Sequence, residues 1–169
     1  MSMGDAVAIR ALAHPLRLDL LDLLVASGPA TAAQCGRALN VSQASCSFHL
    51  RQLAKYGLVE DAGPGPDRRE RQWRVPTPRP VVRVNGPDSV GVAGRELERI
   101  VVERETRAIL DQLGNTKIVT AVALMSPAEA DELKAAWKAL LEPYLDRSPG
   151  PDRRPVRLFL AATPMAAAS

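Results

Sequence analysis

Gln43, Ala44, Ser47, Phe48 and Arg51 fall on one contiguous face of a helix that Ser42 is placed to start. Their types suit the edges of base pairs. A glutamine amide can address adenine, an arginine can address guanine or phosphate, and Ala or Phe can touch a thymine methyl. Further on, the string PDRRERQWR gathers Arg68, Arg69 and Arg71, cations of the kind that hold a phosphate backbone. The chemistry on offer is contact with a duplex, with the helix in the major groove and the arginines on the flanking strands. The plain alternative is a polar outer face on an ordinary helix. An exposed phenylalanine between glutamine and arginine is unusual on such a face, and the arginines nearby favour DNA.

The elements that must hold these residues can be read from local signals. Residues 5–13 predict a short helix stopped before Pro15, because the residue ahead of a proline is driven from the α region. Pro15 opens a leucine-crowded helix over 15–27, ended by Gly28-Pro29. Thr31 and Gln34 form a capping box for a third helix ending near Leu39. Asn40 and Val41 make the turn, and Ser42 caps a helix to Tyr56, with Gly57 at its C′ position. Cys46, Leu50 and Leu53 define the inward face of that helix. Hairpin strands are expected at roughly 58–62 and 70–75.

Beyond Val75, the prolines at 76, 78, 80 and 87 predict an extended linker over 76–88. A long helix over 89–114 then carries two apolar stripes. Ala93, Leu97, Ile100, Val101 and Ala108 make one, and Val102, Ile109 and Leu113 make the other. One stripe is expected on the chain's own domain and one on a second subunit, with Leu97, Ile100 and Val101 at the centre of the joint. Residues 118–125 and 156–163 predict strands, on either side of a helix opened by the capping box Ser126–Glu129 with Pro127 at its first position.

Composition narrows the class. With 169 residues and 46% hydrophobic content, the chain can bury a core. No apolar run reaches the ~20 residues of a membrane span, and the start lacks a secretory layout, so a cytoplasmic protein is expected. The net charge of +3 lies wholly in the first 80 residues, which hold 10 Lys/Arg against 7 Asp/Glu; the rest hold 12 of each. Two cysteines, Cys35 and Cys46, make no disulfide framework and fit no zinc spacing.

The runs LAHPLRLDLLDLL, LNVSQASCSFHLRQLAKYGLVE and RRERQWRV, in this order over residues 8–75, resemble the ArsR/SmtB-like winged helix-turn-helix regulators. The resemblance implies a dimeric repressor with 42–56 as recognition helix and 58–75 as wing, DNA contact at Gln43, Ala44, Ser47 and Phe48, and a first helix that adds Val7 and Ile9 to the joint between subunits. Metal-sensing members of that family carry a Cys-x-Cys pair in the helix before the recognition helix. Here Thr31 and Ala33 occupy those positions. Other members use Asp and His ligands in the C-terminal helix, and 89–114 contains no histidine. No metal site and no cofactor is expected, and Cys46 reads as a small core residue.

Catalysis is not expected either. The two histidines, His14 and His49, sit within the helix-turn-helix elements as packing or capping residues, and no phosphate loop or nucleophile elbow is formed. The reading is therefore a mainly α protein with a β-hairpin wing (α+β). A winged helix-turn-helix DNA-binding domain over 1–75 is followed by the linker, then by a dimerisation helix and small α/β element over 89–169. The expected function is a sequence-specific transcriptional regulator, a dimeric repressor on an inverted-repeat operator in double-stranded DNA. A small-molecule effector is left open. The alternative is a winged-helix protein-interaction module without specific DNA readout. Recognition falls to Ser42, Gln43, Ala44, Ser47, Phe48 and Arg51, and phosphate contact to Arg68, Arg69 and Arg71.

Overall fold

The computed structural model describes residues 2–3, 6–67, 69–79, 81–82, 88–147 and 150–163. In chain order the elements are β1 (Ser2–Met3), α1 (Ala6–Leu12), α2 (Pro15–Ser27), β2 (Ala30–Thr31), α3 (Ala32–Leu39) and α4 (Gln43–Lys55). They continue with β3 (Glu60–Pro64), β4 (Arg71–Arg74), β5 (Val81–Val82), α5 (Asp88–Asp111) and α6 (Pro127–Leu145). The architecture is mostly helical with a small antiparallel sheet.

Helix ends follow their local chemistry. Pro15 stands at the first position of α2, and the His14 ring caps that helix, its Nδ1 accepting from Leu16 N at 3.2 Å. The Thr31 hydroxyl accepts from Gln34 N while the Gln34 side chain accepts from Thr31 N, a reciprocal box that starts α3. Asn40 ends α3 in the left-handed region at φ 54°. Between α3 and α4 the backbones touch: a Cβ on Gly36 would lie 2.6 Å from Val41 O. Only glycine permits so tight a turn.

The sheet has order β2-β4-β3, with Ala30 opposite Trp73 and Asp61 also opposite Trp73. The hairpin β3–β4 forms as expected, displaced by two residues at its start, and its register slips between Asp61 and Pro64. Gly63 takes φ 97° there and donates its N–H to Asp61 Oδ1. The third strand, β2, comes from outside the hairpin. Among the described residues β1 pairs in parallel with β5 as a separate two-stranded patch.

One core gathers Ile9 and Leu12 of α1, Leu20 and Leu24 of α2, Cys35 of α3, Cys46, Leu50 and Leu53 of α4, and Trp73 of β4. Ala93 and Leu97 of α5 complete it. Each leucine buried this way contributes about 1.5–3 kcal/mol.

Two expectations are corrected. Leu97 and Ile100 are only 4% and 8% exposed and Val101 packs against the core, so none of the three can centre a joint with another chain. The physical reason is α1, which lies across that face of α5 and fills it. Ile9 is likewise buried in its own chain, and the Val7 side chain lies outside the described residues. Of the other stripe, Val102 and, just past the end of α5, Leu113 are exposed and Ile109 is half-buried, with Leu110 exposed to one side. Second, 116–126 and 154–163 run without strand structure, so the expected strand–helix–strand element does not form. Both segments are rich in β-branched and apolar residues, but a strand needs a ladder partner, and none meets them among the described residues. Leu124 is fully exposed.

Arg104 of α5 pairs with Asp22 and Asp19 of α2, and Arg157 of the final segment reaches Asp22 at 2.9 Å and the buried Glu105 at 3.2 Å. Those ion pairs fasten the end of the described chain to the helical body.

Candidate nucleic-acid interface

Helix α4 exists because its inward residues are apolar at helical spacing. Cys46, Leu50 and Leu53 are wholly buried, which turns the opposite face outward. Gln43, Ala44, Phe48 and Arg51 are exposed on that face and Ser47 is half-buried beside them. Phe48 keeps 52% of its surface in solvent, a large apolar group offered rather than stored. Ser42 is not free in the same way: its hydroxyl accepts from Ser45 N at 3.2 Å and caps the helix. Arg51 bends back along the helix, Nε donating to Ser47 O.

The wing comes against the start of α4. Between them lies a cleft of about 340 Å³ whose walls include Gln43, Ser47, Arg51, Arg69, Glu70 and Trp73. The Gln43 amide nitrogen donates to Glu70 Oε1 at 3.3 Å, joining helix to hairpin. Trp73, 6% exposed, anchors the hairpin in the core, and Gly65 fits so closely under β2 that a Cβ there would meet Thr31 Cγ2 at 2.7 Å. The wing is thus fixed with respect to the outward face of α4.

Electrostatically, the wing differs from a simple basic hairpin. Residues 58–75 contain four arginines and four carboxylates. Arg71 Nε pairs with Asp61 at 3.0 Å and its guanidinium lies over the Trp73 ring; Arg74 pairs with Glu60 at 2.7 Å. Of the three arginines proposed for phosphate contact, Arg69 is exposed with no ion pair among the described residues, Arg71 is engaged across the hairpin, and Arg68 lies outside the described residues. Attention to cations alone overlooked Glu60, Asp61 and Glu70, although the alternation of acid and base was visible in the same string.

The His49 ring of α4 lies against that of His14, centroids 4.4 Å apart and the planes tilted by 39°, with Phe48 edge-on to His49 at 5.1 Å. Burial pushes both imidazoles below the ordinary histidine range, and Arg17 pushes in the same direction. His49 also feels His14. The cysteines are free and buried, and burial pushes the Cys35 thiol up to about 11. A thiol so raised is a poor thiolate donor. Among the described residues no three His, Cys, Asp or Glu cluster to hold a metal, and no helix is long and apolar enough to cross a membrane.

A helix-turn-helix domain family model matches residues 12–62, the stretch from α2 to the first strand of the wing. No curated protein matches the chain. Among solved structures, it is similar to a mutant of ZitR from Lactococcus lactis in apo form, with 20% identity over 79% of this chain and 83% of that one, at a TM-score of 0.35. It is also similar to FabT of Streptococcus pneumoniae in complex with DNA, with 17% identity over 75% and 71% at 0.35. A mutant of MarR from E. coli gives 13% identity over 75% of each chain at 0.35. Likeness this distant transfers no function to this chain.

Proposed function

We propose that the protein is a sequence-specific DNA-binding transcriptional regulator, with α4 as its reading helix and the β3–β4 hairpin as its wing. One observation carries the reading: α4 holds out Gln43, Ala44, Phe48 and Arg51 across a shared cleft from a wing whose exposed Arg69 side chain makes no ion pair among the described residues. Side chains of these types, on a rigid helix with a cation at its flank, match the division between base readout and phosphate contact. The finer reading is a dimeric repressor of the ArsR-like type acting in the cytoplasm on an inverted repeat. Two recognition helices about 34 Å apart along one face of the duplex supply a useful site length. The exposed apolar residues Val102 and Leu110 of α5, with Leu113 just beyond its end, make the surface proposed to bring the copies together.

The test is selection of bound sequences from random duplexes by the full chain, followed by titration at rising salt. Enrichment of a repeated half-site is expected, and Gln43→Ala should relax preference at one base pair by about 1–3 kcal/mol. Retention of no duplex at low salt would overturn the reading in favour of a protein-interaction module.

A further inference from the structure

The hydrogen bond between wing and reading helix has a chemical direction. A carboxylate only accepts, so Glu70 fixes which end of the Gln43 amide faces it: the nitrogen turns toward the wing and the oxygen away. The wing backbone holds Glu70 in place for this. Its N–H donates to Asp67 O at 2.8 Å and its carbonyl accepts from Gly65 N at 2.6 Å. Gln43 is equally placed, as the first residue of α4 after a turn that the Gly36 contact keeps tight.

Resting on the DNA-reading proposal above, we propose that Glu70 is a specificity-determining residue that orients the Gln43 amide for its base. A free glutamine can rotate to offer donor or acceptor and so tolerates several base edges. Held by Glu70, it keeps one N–H and its oxygen for the duplex, the donor-acceptor pair that adenine complements. The same carboxylate places a negative charge beside the groove, where it opposes every duplex alike. Only a site that satisfies Gln43 offsets that opposition. Glu70 thus lowers general affinity and raises selectivity, two effects of opposite sign that a structural role alone does not produce.

The experiment uses the full chain, a selected duplex, single-base variants of it and a random duplex. The variants are Glu70→Ala, Glu70→Gln, Gln43→Ala and the Gln43→Ala/Glu70→Ala double mutant. Glu70→Ala is expected to bind random duplex more tightly, by about threefold to tenfold, with a steeper salt dependence. It should lose about fivefold of discrimination at the base pair that Gln43→Ala also relaxes, and at no other. The double mutant should lose no more than Gln43→Ala alone, since the two residues act as one reader. Glu70→Gln, which keeps an acceptor without the charge, should match Glu70→Ala on random duplex and retain more discrimination. A selective wild type whose discrimination survives Glu70→Ala overturns this proposal alone, as does additivity in the double mutant or equal loss in both Glu70 variants. A wild type that selects no sequence overturns the DNA reading and this proposal together.

Discussion

Two helices of this chain begin in the same way and end up differently. Helices α3 and α6 each start with a reciprocal capping box, Thr31 with Gln34 and Ser126 with Glu129, and α6 adds a proline at its first position. Yet α3 buries Cys35 and Gly36 against its neighbours, whereas α6 buries none of its residues. Leu140 and Tyr144 lie exposed on α6 although they recur at helical spacing. Capping decides where a helix begins. Only a facing apolar surface decides whether it belongs to a core. The winged half of the molecule supplies such a surface within one chain, and the half beyond α5 does not among the described residues.

The largest expected effect tests that contrast directly. Leu50→Ala should lower unfolding free energy by about 2–5 kcal/mol, because it opens a cavity in the common core. Leu140→Ala should change it by no more than about 0.5 kcal/mol at protein concentrations where the chain is monomeric. Urea titration of both variants checks the pair, and a comparable loss at Leu140 would erase the distinction. Somewhat smaller is Gly36→Ala, which forces a methyl against the Val41 carbonyl where no flexible side chain can yield. A loss of about 1–3 kcal/mol is expected, seen as an earlier melting transition of the winged half.

The smallest effect sharpens the comparison through pH. Both histidines of the chain, His14 and His49, lie in the winged half. Their imidazoles are held below the ordinary range, chiefly by burial, so folding favours the neutral form. Their contribution is present above the unfolded value of 6.5 and is lost as pH falls from there through the lowered folded values. The charged and titratable groups around them include Arg17 and, facing Arg17, Tyr56. Trp73 and Trp137, one in each half, allow the halves to be followed separately. With Trp137→Phe, emission from Trp73 should report a transition that moves to lower urea as pH is taken from 7 to 5.5, less so when both histidines are replaced by glutamine.

Much of the winged half was legible because its signals are local. Pro15, Thr31 with Gln34, and Ser42 mark helix starts, and the apolar spacing of Cys46, Leu50 and Leu53 turns α4 the right way round. Strand β2 was not legible, since two residues carry no alternation and take their partners, Trp73 and Gln72, from far along the chain. Periodicity showed two stripes on α5 but could not say which one α1 would cover. At 118–125 and 156–163 the residues have strand propensity, and propensity without a partner makes no ladder. In the candidate interface, the outward face of α4 followed from helical geometry. The tie from Gln43 to Glu70 and the pairing of Arg71 with Asp61 depend on how hairpin and helix meet, which no local pattern encodes.

The packing of α1 on α5 also bears on how the chain is made. Ile9 and Leu12 leave the ribosome before their core partners Ala93 and Leu97, which emerge only after the whole winged segment and the linker. Until then the face of α1 that meets α5 stands without that part of its cover, at the stage of synthesis when exposed apolar surfaces invite association or capture by chaperones. Closing that contact joins ends separated by a long loop, so its entropic cost comes before any of its stabilisation. A helix translated well ahead of α5 thus completes its packing only when α5 arrives.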